Sequence, residues 1–232
     1  MKRVILTSSA GVGLALADRA DMVVPFIYRF VSGPLPTPDH LIDYLGGRWP
    51  LNEMHWSDCV RVHQSPHLRR QDRAGGLLWV CQTYGVDFIE LWFDPEPNSQ
   101  LQLIWILDYL RAEPSLTGSL RLRRVDFNLR EADPSELRHR DVRQFDIVES
   151  DLGIASMAWE AYRSPTPELC AGLLGRARWG HTYSISGSSA RCLKGSHLAR
   201  RQRSRVWTAR WRHSIRTTRE VATLPFAGAG CR

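Results

Sequence analysis

Residues 3–19 read RVILTSSAGVGLALADR, and this stretch sets the fold class. Arg3 to Thr7 is a short, apolar, β-branched run, the pattern of a buried strand. Ser8 and Ser9 are N-cap residues, whose side-chain oxygens accept from the free N–H groups of a first helical turn. A helix is predicted from there through Arg19. Strand, tight turn and helix in close succession point to α/β layering. The same residues imitate a secretory leader, with Lys2 and Arg3 before an apolar stretch and Ala15-Leu16-Ala17 as a small-residue site. Ser8, Ser9, Gly11 and Gly13 interrupt that stretch, so we take the strand–turn–helix reading.

Outward from it the alternation continues. Met22–Ile27 is a second strand, and Pro25, which lacks an N–H, places it at an edge or a bulge. Gly33-Pro34-Leu35-Pro36 is a loop. Thr37 and Pro38 open a helix to Leu45, which Gly46-Gly47 ends. Residues 48–75 carry weak periodicity. Leu77–Tyr84 is the end of a helix stopped by Gly85. Asp87–Phe93 (DFIELWF) is the clearest strand. Asn98 or Ser99 caps a helix through Arg111, with Leu103, Ile106, Leu107 and Leu110 on one face. Leu101, Ile104 and Trp105 widen that face, so this helix is expected deep in the core.

Leu120–Phe127 alternates polar and apolar, as a strand with one wet face does. Pro134–Arg140 is a short helix and Val142–Val148 a last strand. Ser150–Arg163 is a helix with Ile154, Met157, Ala158 and Ala161 on its stripe, and Thr166-Pro167-Glu168 opens another. Trp79, Trp92, Trp105 and Trp159 lie in apolar segments and are expected in the core. The expectation is an α/β fold: a layered, mostly parallel sheet flanked by helices over residues 1–175, with C-terminal helices at about 150–175.

The charge pattern divides the chain near Gly175. Residues 1–175 carry 18 Lys/Arg against 23 Asp/Glu; residues 176–232 carry 13 Lys/Arg against one acid, Glu220. The first part suits one domain with a sizeable core. No apolar run approaches the roughly 20 residues of a membrane span, so no transmembrane segment is expected. The five cysteines, Cys59, Cys81, Cys170, Cys192 and Cys231, show no CxxC or zinc spacing. They read as free thiols of a reducing compartment, the cytoplasm.

Four blocks carry a family resemblance: V-I-L-T-S-S-A-G (4–11), S-G-P-L-P (32–36), I-E-L-W-F-D-P-E-P-N-S-Q-L-Q-L (89–103) and I-A-S-M-A-W-E-A-Y-R-S-P-T-P-E (154–168). They resemble the bacterial family called domain of unknown function 1835 (DUF1835), over roughly residues 1–175. The resemblance implies a cytoplasmic α/β protein without assigned activity or catalytic residues. Members of that family often carry an acid plus a His after the L-W-F strand. Here Asp94-Pro95-Glu96 puts Pro in the place of the His. Members also continue with a Leu-rich helical segment, and this chain does not.

The candidate ligand-binding residues fall in two loops. Ser8, Ser9, Gly11 and Gly13 lie between a strand and a helix, where backbone N–H groups suit an anion. The Gly-Lys-Ser/Thr ending of a P-loop and the third Gly of a dinucleotide fingerprint are missing, and the partial motif favours a tight turn that uses the glycines for packing. Asp94, Glu96, Asn98 and Ser99 follow the clearest strand, and in open α/β sheets ligands sit beyond strand carboxyl ends. Asp94 and Asn98 also suit a plain turn and cap. His55, Cys59, His63 and His67 are the only His/Cys cluster and match no zinc spacing. No metal site, cofactor or catalytic residue is assigned.

The tail from Arg176 is rich in Arg, Ser and Trp. It fits a nucleic-acid arm with Trp207 and Trp211 as stacking residues, a disordered basic extension, or out-of-frame translation of a GC-rich gene. The near-absence of acids and of Lys favours the last. Nucleic acid is a candidate partner only through the tail; no other partner is indicated. The sequence reads best as a non-catalytic binding or regulatory module. The alternative is a metal- or nucleotide-dependent enzyme with a crevice at the ends of the first and third strands.

Overall fold

The computed structural model describes residues 1–48, 55–62 and 70–176. The readings of the basic tail lie outside these residues, as do Trp49, His63 and His67.

Strand β1 (Arg3–Thr7) leads into helix α1 (Ala10–Ala15), whose N-cap Ser9 accepts from the Val12 N–H. The helix stops short of Arg19; a 3-10 turn, Ala17–Arg19, swings the chain back to β2 (Met22–Pro25) beside β1. β2 is not an edge strand, because the two-residue β3 (Arg61–Val62) pairs antiparallel with Met22 and Val23. Pro25 is still tolerated for the expected reason. Phe26 N–H donates to Thr7 O at 2.8 Å, so the missing donor at Pro25 faces the other side, beyond the end of β3.

Helix α2 (Pro38–Gly46) starts at Thr37, which accepts from the His40 N–H, and ends at Gly47 with φ of 83°. Helix α3 (Arg70–Thr83) is broken at Gly76, where φ is 77°. A Cβ there would lie 2.6 Å from Leu45 O. Only glycine therefore allows α3 to approach the end of α2.

β4 (Phe88–Phe93) pairs in parallel with β1, and β5 (Leu120–Arg124) in parallel with β4. Between them runs α4 (Pro97–Leu110). Its N-cap is Glu96, with Pro97 at the first position, so Asn98 and Ser99 sit inside the first turn rather than capping it. α5 (Pro134–His139) precedes β6 (Gln144–Asp146), which closes the far edge antiparallel to β5. α6 (Glu149–Arg163) and α7 (Glu168–Arg176) follow. The sheet order is β3-β2-β1-β4-β5-β6, with a parallel centre and a short antiparallel strand at each edge. The layered, mostly parallel α/β expectation holds.

One sheet face carries Val4, Leu6, Val24, Ile89, Leu91 and Phe93 under α4, which is buried along almost its whole length. Trp105 of α4 anchors this layer, its ring 5.6 Å from Phe26 and 5.3 Å from Phe30. Such edge-on pairs add about 0.5–1.5 kcal/mol each beyond their buried area. The other face, with Ile5, Val23 and Trp92, is covered by the short α1 and α5 through Val12 and Leu137.

Two packing expectations need correction. Ala158 and Ala161 of the expected α6 stripe are buried, together with Leu152, Ala155, Trp159 and Tyr162, whereas Met157 is 38% exposed and Ile154 only half-buried. The large rings set the rotation: Trp159 packs 5.1 Å from Phe30, and Tyr162 OH donates to Phe30 O at 2.6 Å. Trp92, Trp105 and Trp159 are core, but Trp79 is 38% exposed because α3 turns Leu77, Val80 and Cys81 inward. Among the described residues, no helix is long and apolar enough to cross a membrane.

Candidate functional site

The strand order reverses between β1 and β4: the chain first moves from β1 to β2, then crosses to β4 on the opposite side. This is the topological switch point, where the carboxyl ends of neighbouring parallel strands open a crevice in doubly wound folds. Thr7 pairs with Trp92 and its Oγ1 donates to Trp92 O at 2.9 Å. The loops starting at Ser8 and Asp94 therefore leave one sheet edge side by side, and both candidate sets emerge there.

Their side chains are used unequally. Asp94 is buried; its carboxylate accepts the Leu129 N–H at 3.0 Å and the Glu96 N–H at 3.4 Å. It ties the loop after β5 to the start of α4. Glu96 is exposed. Asn98 accepts the Phe30 N–H at 2.7 Å and donates to Tyr28 O at 3.0 Å. Ser9 serves as the α1 cap. Gly13 packs where a Cβ would meet the Pro25 ring at 3.1 Å, while Gly11 borders open space. Ser8 and Ser99 are buried, and neither hydroxyl has a hydrogen-bond partner among the described residues.

A residue that sequence reasoning missed completes the arrangement. Gln102 donates to Tyr28 O at 2.7 Å and to Phe26 O at 3.3 Å. With Asn98, four residues earlier on the same helix face, it takes the role of a missing strand for the segment after β2. The signal was present: Asn98 and Gln102 stand four apart, on one helix face, at the start of a largely apolar helix.

The opposite sheet face carries a charged cluster that the sequence placed in water. Arg121 and Arg123 sit on the predicted wet face of β5, yet Arg123 makes two hydrogen bonds to the buried Glu90 carboxylate. Trp92 Nε1 donates to Glu90 at 2.9 Å, and Arg3 lies 3.3 Å away. Burial pushes the Glu90 carboxyl up, but these bonds and charges outweigh it and hold it below its ordinary value. Arg19 lies over the Trp92 ring at 4.8 Å; burial, with Arg123 nearby, lowers its pKa.

His55 is buried and caps the 3-10 turn Trp56–Cys59, its Nδ1 2.8 Å from Ser57 Oγ. That is a structural role. The Cys59 side chain, His63 and His67 lie outside the described residues. Among the described residues no group of three or more His, Cys, Asp or Glu side chains converges as metal ligands.

A separate groove of about 700 Å³ opens between α2, α4, α6 and α7. Leu41, Ile42, Trp105, Tyr109, Trp159 and Leu169 line it, with Asp108, Arg111, Glu160 and Arg163 at its margin. Ile42 and Leu169 are 50% and 53% exposed. The groove is open to solvent, and its volume lies within the range of small-molecule sites.

No family model, curated protein or solved structure matches the chain.

Proposed function

We propose that this chain is a non-catalytic binding or regulatory module, in the cytoplasm as its resemblance to DUF1835 implies, and that the groove between α2, α4, α6 and α7 receives the ligand. The observation that carries this reading is the use of Asp94. Its carboxylate holds the Leu129 and Glu96 N–H groups, so the best-placed acid at the switch point is committed to the fold. The groove supplies what recognition needs: aromatic walls, exposed aliphatic margins and room for a drug-sized molecule. The free, buried thiols Cys81 and Cys170 support a reducing compartment.

The test is thermal unfolding of the full chain with naphthylmethanol as an apolar probe. A ligand that binds only the native state raises the midpoint, and Ile42→Lys should remove the rise. An equal rise in that variant sinks the reading.

A second reading is favoured by the unpaired hydroxyls of Ser8 and Ser99 at the switch point. It makes the chain a nucleotide- or metal-dependent enzyme. Nucleotides or divalent ions that raise the midpoint of the full chain, but not of Ser99→Val, support it. No rise with any of them dismisses it.

A further inference from the structure

The switch point, on which the second reading rests, holds unmet hydrogen-bonding groups, and their kinds define a ligand. Ser8 is 3% exposed, Ser99 1% and Gln102 1%. Ser8 Oγ, Ser99 Oγ and Gln102 Oε1 have no hydrogen-bond partner among the described residues. Native folds leave few such atoms buried and unmet. All three belong to one place. Ser99 and Gln102 stand three apart on α4, neighbours on its surface. Gln102 Nε2 donates to Phe26 O, and Phe26 N–H donates to the carbonyl of Thr7, the residue before Ser8. Ser8 thus follows β1 on the side of the sheet where Val4 and Leu6 pack under α4.

The first turn of α4 adds backbone donors. Pro97 has no N–H, Glu96 gives no side-chain cap, and the Asn98 and Ser99 N–H groups meet no acceptor among the described residues. Donors therefore outnumber acceptors. Gln102 Oε1 is the one obligate acceptor, because the amide nitrogen is fixed by donating to the Tyr28 and Phe26 carbonyls. A full charge does not suit the place. Asp94 and Glu96 stand at the helix start and oppose an anion. The unmet N–H groups and the positive helix end oppose a cation.

We propose that the switch point binds the amide edge of a small neutral molecule, a carboxamide or lactam. The ligand carbonyl accepts from the Asn98 and Ser99 N–H groups and a serine hydroxyl, and the ligand N–H donates to Gln102 Oε1. These side-chain atoms are sealed from solvent, so entry requires the loop from Ser8 to move outward. Gly11 in that loop borders open space.

Amide NMR spectra of the full chain, titrated with pyrrolidinone, butyrolactone and inorganic phosphate, test this. The lactone has the shape of the lactam without its N–H. The lactam should shift the Asn98 and Ser99 signals and bind about fivefold tighter than the lactone, the worth of one neutral hydrogen bond. Ser99→Ala removes an unmet buried hydroxyl, so it should leave the fold at least as stable while weakening the lactam. Equal binding of lactam and lactone, or lactam binding untouched by Ser99→Ala, overturns the amide assignment. Shifts with phosphate in place of the lactam overturn it too, and leave the nucleotide form of the second reading standing. No shift with any probe shows that buried water alone meets these atoms and overturns the proposal. The second reading is then decided separately, by the midpoints with nucleotides and divalent ions.

Discussion

Arg123 grips Glu90 through two hydrogen bonds, Nε to Oε2 at 2.9 Å and Nη2 to Oε1 at 2.8 Å. The pair joins β5 to β4 beneath Trp92, whose indole N–H donates to the same carboxylate. Removing one partner of such a buried pair strands the other charge, so Glu90→Ala should destabilise the fold by about 3–5 kcal/mol. Urea unfolding measures it; a loss within experimental error would show that the cluster is solvated. The pH dependence follows from the sign of the shift. Glu90 has a lowered pKa in the fold, so its contribution is complete above the unfolded carboxyl value of about 4.3. It disappears as pH falls through the lower folded value. Glu90→Gln should flatten that part of the acid unfolding profile.

The Asn98–Gln102 clamp predicts a local effect. Asn98→Ala leaves the Phe30 N–H and one bond to Tyr28 O unmet in a buried setting. The cost should be about 1–3 kcal/mol. Hydrogen exchange should show the Phe30 amide losing protection before the β1 amides do. Uniform loss across the sheet would argue against a clamp.

Two glycines should respond in opposite directions to alanine. At Gly76 the positive φ and the Leu45 carbonyl 2.6 Å away from a Cβ forbid it, so Gly76→Ala should lower the melting temperature. Gly153, inside α6, has open space around its Cβ position. Gly153→Ala should stabilise by about 0.5–1 kcal/mol through helix propensity. Thermal unfolding of both variants checks the pair.

Burial pushes the Cys81 thiol up to about 12 and raises Cys170 as well, and Cys170 also donates to Ala161 O. Alkylation requires the thiolate. Iodoacetamide at neutral pH should therefore leave both unmodified in the native protein and label both in urea, as read by peptide mapping. Rapid native labelling at Cys81 would contradict its burial.

The charge of residues 177–232 predicts polyanion binding that weakens with salt. A chain ending at Arg176 should elute from heparin far earlier than the full chain. Equal elution would remove the tail from any account of nucleic-acid contact. The nucleotide sequence after the Gly175 codon tests the frame reading separately: a Leu-rich, charge-balanced alternative frame supports it.

Much of the layout was legible because its signals act within a few residues. Thr37-Pro38 and Gly46-Gly47 bracket α2, and the aromatic run before Asp94 is β4. The side-by-side exit of the two candidate loops was legible too, since parallel pairing follows from strands alternating with helices. The roles of the loop residues were not. Asp94 reads as a solvated turn or cap residue, or else as a ligand, until Leu129 is placed against it. Arg123 reads as solvated until Glu90 and Trp92 are placed beside it.

The sequence by itself determined the kinds of element, most of their limits and the mostly parallel layering, because caps, proline, glycine and hydrophobic period work through the local backbone. Only the tertiary structure decided which polar side chains hold the fold together and where a ligand finds room. Asn98 meets Phe30 across 68 residues and Asp94 meets Leu129 across 35. The groove likewise exists only where four separate helices leave a gap. Burial and hydrogen-bond partnership depend on neighbours remote along the chain, and local pattern carries no record of them.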